Sequence, residues 1–137
     1  MSNIKIFESK DHKNILKIFS DDKYVREYLE RNYDGYVFEA KDNDCSMGCL
    51  LMSKRCIERN QNYHIDIIYV LPQYRRKKVG QSLVNYAENI AKNEKTSISC
   101  RPIPDAFLFW KACSYFKLRK DPGNFMWGKF LKIEKNN

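Results

Sequence analysis

Apolar and polar residues alternate through Ile4-Lys5-Ile6-Phe7, which predicts a short strand. They then recur at helical spacing as Ile15, Leu16, Ile18 and Phe19, behind a candidate N-cap at Asp11. A second helix is expected to start at Asp21 or Asp22 and to carry Tyr24, Val25, Tyr28 and Leu29, with Asp34-Gly35 ending it in a turn. Residues 36–40 and 46–52 read as two strands around the polar turn 41–44, and residues 59–62 turn the chain into a central strand at 63–70. Period 2 gives way again to period 3.6 at Val79, Leu83, Val84, Ala87, Ile90 and Ala91, one helical face running to about Asn93. A strand at 97–101, an aromatic helix over 105–116, and a hairpin of 117–120 with 125–131 around Asp121-Pro122-Gly123-Asn124 complete the pattern. This order predicts a single α/β (α+β) domain over residues 1–137, without linker, repeat or low-complexity segment.

The boundary between the central strand and the long helix concentrates the chemistry. Pro72 stops the strand, because it has no ladder donor and fixes its own φ. Four consecutive cations, Arg75, Arg76, Lys77 and Lys78, follow, and Gly80 stands at the helix start, where a side chain would crowd a ligand. The first N–H groups of a helix have no partner within it and carry the positive end of its dipole. Val79, Gly80, Gln81 and Ser82 are thus expected to offer main-chain donors to a phosphate that the cations neutralise. A solvated basic turn is the plainer reading of the same charge run.

The stretch from Val70 through Pro72 and Tyr74 to Gly80 resembles the pyrophosphate-binding motif of the GNAT acyltransferase superfamily, Arg/Gln-x-x-Gly-x-Gly/Ala after a strand ending in Val-x-Pro-x-Tyr. Arg75 takes the first position and Gly80 the last, and Lys78 stands where the family has its first Gly. Residues Asp105 to Phe116 are similar to the family's Asn-x-x-Ala-x-x-Phe-Tyr-x-x-x-Gly-Phe helix. Ala106, Phe109 and Phe116 match, Trp110 replaces the Tyr, and Ser114 or Tyr115 replaces the Gly. The resemblance implies a mixed, mostly antiparallel sheet flanked by helices, with acetyl-CoA as co-substrate and no metal. It implies cofactor contacts from Tyr69 and Val70, from Arg75, Arg76, Lys77, Lys78, Val79, Gly80, Gln81 and Ser82, and from Phe109 and Trp110.

Acetyl transfer to an amine needs a base, because an ammonium has no lone pair with which to attack. His64 and Asp66 are two residues apart on the central strand, so their side chains are expected on one face, with Tyr63, Ile65 and Ile67 on the other. The family often carries its base eleven positions before the motif's first Arg or Gln, and that position is His64. An imidazole near its ordinary pKa suits a base at neutral pH. A histidine that only satisfies a hydrogen bond near a strand end is the alternative. Asp66 is open to three roles: orienting His64, acting as the base, or pairing with a Lys or Arg. The thioester oxygen needs an N–H donor, and the resemblance implies one from the central strand near Tyr69 and Val70. With Trp110 in the place of the family's Tyr, the candidate acid for the leaving thiolate is Tyr115, with Cys113 and solvent as further options.

Composition narrows the class further. A chain of 137 residues, 43% hydrophobic and 14% aromatic, has the material for one core. Its mean hydropathy is −0.66, no apolar run approaches the roughly 18–20 residues of a spanning helix, and the N-terminus has no signal-peptide core, so no membrane partner is expected. Five cysteines, an odd number without zinc spacing, point to a reducing cytoplasm. The net charge of +8 favours capture of a polyanion such as CoA. It also leaves nucleic acid open as a partner, although no recognition-helix or RNP pattern accompanies it. The first expectation is an N-acetyltransferase, monomeric or homodimeric, that moves an acetyl group from acetyl-CoA to a primary amine by direct attack in a ternary complex. That amine would belong to a protein lysine, an N-terminus or a small metabolite. The second is a catalytically impaired module of the same fold that binds an acidic protein or nucleic acid. The resemblance implies that the acceptor is set by the first helices and the loop before the central strand, where Asp21, Asp22, Glu27, Glu30, Asp34 and Glu39 offer carboxylates to a cationic amine, with solvated helix surface as the alternative reading of the same residues.

Overall fold

The structure is a computed structural model and describes residues 3–57, 60–93, 97–117 and 126–131. Its strands are β1 (Ile4–Glu8), β2 (Tyr36–Asp42), β3 (Cys45–Ile57), β4 (Asn60–Val70), β5 (Ser97–Cys100), β6 (Phe116–Lys117) and β7 (Trp127–Phe130), joined in one sheet of order β1-β2-β3-β4-β5-β7-β6. Every neighbouring pair is antiparallel except β4 with β5. A parallel pair needs a crossover, and α3 (Val79–Lys92) supplies it. The helices α1 (His12–Ile18) and α2 (Lys23–Leu29) lie between β1 and β2 in the chain, and α4 (Phe107–Ala112) follows β5. The mixed, mostly antiparallel sheet implied by the resemblance is the sheet observed.

Helices cover both faces. Phe38, Leu50 and Met52 pack with Leu83, Val84 and Ala87 of α3, whereas Val37, Cys49 and Leu51 pack with Ile15, Phe19 and Val25 of the α1–α2 side. Burial on both faces explains the unbroken apolar run of β3, since neither parity is left for water. Each Val, Leu, Ile, Phe or Met side chain among them contributes about 1.5–3 kcal/mol. The helices α1 and α2 have 7 residues each, too short to persist without packing and caps. Asp11 Oδ1 accepts from the Asn14 N–H at 3.1 Å, and Asp22 Oδ1 accepts from the Val25 N–H at 2.9 Å. Of the two candidate starts for α2, Asp22 is the cap.

The central strand departs from strict alternation. Ile65 pairs with Met52 and Ile67 with Leu51, so Asp66 is an extra residue in β4, a bulge. A one-residue slip exchanges the faces. Tyr63 and Ile65 belong to the α3 core, Ile67 and Tyr69 pack on the α1–α2 side, and Ile68 and Val70 return to the α3 side. The expectation that Ile67 shares a face with Tyr63 and Ile65 is thereby corrected.

Three boundaries also differ. Helix α2 ends at Leu29, and Asn32 takes the left-handed conformation with φ 52° in the chain beyond it. Gly35 is needed for closeness instead, because an added Cβ would lie 2.7 Å from both the Met52 carbonyl and the Tyr33 ring. Residues 60–62 extend β4 rather than turning, since Asn62 pairs with Arg55 across the β3–β4 ladder. The aromatic helix is cut to Phe107–Ala112, and Ser114, at φ 70°, takes the left-handed position that the family fills with Gly. Strands β6 and β7 pair as the closing hairpin, whose expected turn falls in 118–125, outside the described residues. Among the described residues, Cys45, Cys49, Cys100 and Cys113 are free thiols, and no helix is long and apolar enough to cross a membrane.

Candidate functional site

A cleft of about 350 Å³ opens where β4 meets α3 and is lined by Val70, Tyr74, Arg75, Arg76, Lys78, Val79, Gly80, Gln81 and Phe109. The basic loop is curled by two residues of positive φ, Arg76 at 70° and Lys78 at 63°. Lys78 is the N-cap of α3 and adopts the backbone shape that glycine takes freely, so the departure from the family pattern costs about 1–2 kcal/mol of strain and preserves the turn. The first N–H groups of α3 are left for a ligand or water. Gly80 serves a packing need that the sequence reading assigned to the ligand itself. An added Cβ would meet Phe109 Cε1 at 2.9 Å and Cζ at 3.2 Å, and that ring is a wall of the cleft.

Four other expected cofactor contacts, Tyr69, Lys77, Ser82 and Trp110, are not among the residues that line the cleft. Tyr69 points to the α1–α2 side, edge-on to Phe19 with ring centroids 6.3 Å apart. Lys77 holds its ammonium over the Tyr74 ring at 5.8 Å, and the Ser82 hydroxyl donates back to the Lys78 carbonyl at 2.9 Å. Trp110 is core, 3% exposed and edge-on to Tyr115, so its indole is corrected from cofactor contact to packing. Arg75 folds over the end of the strand, where its Nε donates to the Val70 carbonyl at 3.0 Å.

A second cavity, of about 590 Å³, lies between α2 and the middle of β3 and β4, with Tyr24, Glu27, Tyr28, Arg31, Asn32, Tyr33, Asp34, Ser53, Arg55 and Asp66 around it. The bulge turns Asp66 toward this cavity. Its side chain is 2% exposed, its Oδ2 accepts from Tyr33 Oη at 2.6 Å, and its Oδ1 accepts from Arg55 Nη2 at 2.9 Å. Burial, then the adjoining Asp66, pushes the Tyr33 phenol far above its ordinary pKa. Asp66 and Val70 share β4, four residues or roughly 13 Å apart, so one strand joins the two cavities.

His64 lines neither cavity. Its Nδ1 lies 2.8 Å from Ser99 Oγ, and its Nε2 is 4.0 Å from Asp66 Oδ1. Turning the Asn62 amide so that its nitrogen donates to the Ser97 carbonyl at 2.7 Å lets its oxygen accept from Ser99 Oγ at 2.9 Å. Ser99 Oγ then accepts from a protonated Nδ1, which makes the neutral ring the Nδ1–H form. Burial, reinforced by Arg55 and Arg101 and opposed by Asp66, lowers the His64 pKa from 6.5 to about 4. The expectation of an imidazole near its ordinary pKa is corrected. His64 closes a buried polar chain that ties β4 to β5 just before the two strands part.

Tyr115 is also displaced from its expected role. It lies beyond α4, 3% exposed, and donates to Glu88 Oε2 at 3.1 Å, while Lys129 Nζ reaches Glu88 Oε1 at 3.0 Å and the Cys113 carbonyl at 3.2 Å. Burial and the Glu88 carboxylate drive the Tyr115 phenol well above its ordinary pKa, the wrong direction for a proton donor. Burial likewise pushes the Cys113 thiol up to about 11. Sequence reading missed Tyr33 and Arg55, whose only signal is spatial, and Tyr74, which the Val-x-Pro-x-Tyr pattern already contains.

A family model described as the acetyltransferase (GNAT) family matches residues 5–121. Among solved structures, AtaTR bound with acetyl-CoA aligns at a TM-score of 0.72 with 13% identity, covering 93% of each chain. The Bacillus subtilis N-acetyltransferase YlbP in complex with coenzyme A aligns at 0.69 with 16% identity, covering 95% of this chain and 97% of that one. The PaiA N-acetyltransferase from Thermoplasma acidophilum in complex with coenzyme A aligns at 0.70 with 17% identity, covering 93% and 99%. At these identities the likeness is one of fold.

Proposed function

The chain belongs to the acetyltransferase (GNAT) family, and from that premise we propose that it binds acetyl-CoA at the start of α3 and transfers the acetyl group to an amine held beside Asp66. The open edge of β4 carries this reading. Among the described residues, β5 pairs with β4 only from Asn62 to Ile65, so the stretch from Asp66 to Val70 runs between the two cavities with no strand paired to that edge and the Arg75 side chain over its Val70 end. An extended, amide-containing arm can pair with such an edge as an added strand does. The residues present fit CoA. Main-chain N–H groups of Val79, Gly80 and Gln81 would hold the diphosphate, Arg75, Arg76 and Lys78 would neutralise it, and Val70, Tyr74 and Phe109 would wall the arm.

When bound, acetyl-CoA supplies a thioester carbonyl open to attack. The main chain near Tyr69 and Val70 presents an N–H donor to the oxygen on which charge develops. Asp66, fixed by Tyr33, orients the acceptor's ammonium and takes its proton, because an acceptor-only carboxylate is the group this cavity places on β4. His64 holds the strand, and the leaving thiolate takes its proton from water, since thiols ionise near pH 8.5.

Calorimetric titration with acetyl-CoA tests the reading directly. Wild-type protein should bind saturably. Gly80→Leu, which drives the Phe109 ring into the cleft, should weaken binding at least about 100-fold, roughly 2.7 kcal/mol, with the fold retained. Unchanged affinity in that variant would refute the cleft as the CoA site. An amine and peptide screen read by mass then identifies the acceptor.

A further inference from the structure

We infer that Arg55 is an internal stand-in for the acceptor's cation, and that an acceptor reaches Asp66 by exchanging with it. The inference rests on the reading of the second cavity as the acceptor side. The Asp66 side chain is 2% exposed and Tyr33 already holds its Oδ2, so Oδ1 is the oxygen left to meet a cation. Arg55 Nη2 occupies that point at 2.9 Å.

The occupant is held in a way that favours exchange. Among the described residues, Arg55 meets the carboxylate through one nitrogen, whereas the strong arginine–carboxylate pair is two-pronged. Its side chain is 45% exposed, so the guanidinium can swing into water with little desolvation to regain. Its place on β3, opposite Asn62, leaves the backbone unmoved when the side chain leaves.

What remains is a pocket for an organic cation. With Arg55 turned out, the carboxylates Glu27, Asp34 and Asp66 line the cavity with the cation Arg31, and Lys23, 3.9 Å from Glu27, offsets that carboxylate at the rim, so Asp66 and Asp34 are left to attract a cation in a protein of net charge +8. Tyr28 and Tyr33 stand perpendicular, 5.9 Å apart at 88°, and both line the cavity, a corner of the kind that holds ammonium groups by cation–π attraction. The site therefore selects amines that arrive protonated, as alkylammonium compounds do, over weakly basic aryl amines. A neutral amine has no charge with which to displace Arg55.

Free guanidinium and methylammonium chloride, at millimolar concentrations well below the denaturing range, serve as probes on the full chain. In Arg55→Ala, guanidinium should cause saturable NMR shifts at the Asp66 and Tyr33 amides and raise the thermal midpoint. Its apparent Kd should be at least tenfold tighter than in wild type. Arg55→Lys should behave as wild type, and Arg55→Ala with Asp66→Asn should lose the saturable shifts. Arg55→Gln, which keeps a neutral donor near Asp66, repeats the test if the Ala variant does not fold. Equal affinity in wild type and the folded Arg55 variants, or no saturable shift in any of them, overturns the exchange. Acetyl-CoA titration of the same variants separates the two failures. Lost cation binding with intact acetyl-CoA binding rejects the stand-in, whereas absent acetyl-CoA binding rejects the catalytic reading.

Discussion

His64 loses its proton affinity because the folded chain removes it from water, with Arg55 and Arg101 adding to the effect and Asp66 opposing it. The unfolded chain, with an ordinary histidine, binds more protons between pH 6.5 and about 4, so stability rises with pH across that window. The contribution is fully present above pH 6.5 and is lost as pH falls toward 4, at most about 3 kcal/mol at 1.36 kcal/mol per unit. Replacing His64 with Gln should flatten this part of the profile, seen as a smaller fall in urea midpoint from pH 7 to pH 4.5 than in wild type. An equal fall in both proteins would show that His64 is not the acid-sensitive group. Nothing in the sequence around His64 carries this information. Periodicity placed it on a strand, but its pKa belongs to its burial and to Arg55, Asp66 and Arg101, which the pairing of β4 with β3 and β5 brings around it.

At the scale of elements, α2 shows how a local signal serves a distant site. The Asp22 cap was legible because an aspartate three residues ahead of an N–H is all the interaction requires. Helix α2 contributes Tyr24, Glu27 and Tyr28 to the cavity proposed for the acceptor and has 7 residues with which to hold them. Asp22→Ala should lower stability by about 1 kcal/mol. Once an acceptor is known, it should raise the acceptor KM several-fold while leaving the calorimetric acetyl-CoA affinity within twofold, because the cleft is built on β4, α3 and α4. A matching loss of acetyl-CoA affinity would show that α2 supports both cavities. The bulge at Asp66 had no comparable signal. An inserted residue looks like any other in a run of Ile65, Ile67 and Ile68, and only the ladder with β3 shows which residue is extra.

Across the whole molecule, the Glu88, Tyr115 and Lys129 cluster joins α3, the end of the α4 segment and β7, elements far apart in the chain. Lys129→Ala would leave a carboxylate 7% exposed with Tyr115 as its remaining described partner. Removing one partner of a buried pair is costly, and the partial exposure of Lys129 moderates it, so a loss on the order of 2–3 kcal/mol is expected in denaturant melts. Tyr115→Phe should cost about 1 kcal/mol and leave single-turnover chemistry within about threefold. A tenfold slower chemical step would return Tyr115 to the role of acid. The sequence by itself determined the element order, the Asp11 cap and the succession of strand, Pro, basic loop and helix. Periodicity, capping and φ restrictions act over a few residues and are written where they act. Tertiary structure decided the parity of β4 beyond Asp66, the low proton affinity of His64, the burial of Tyr115 on Glu88, and the company of Asp66. Its two partners come from 33 and 11 positions away. Desolvation and charge pairing depend on what is packed across the chain, and no local pattern encodes that.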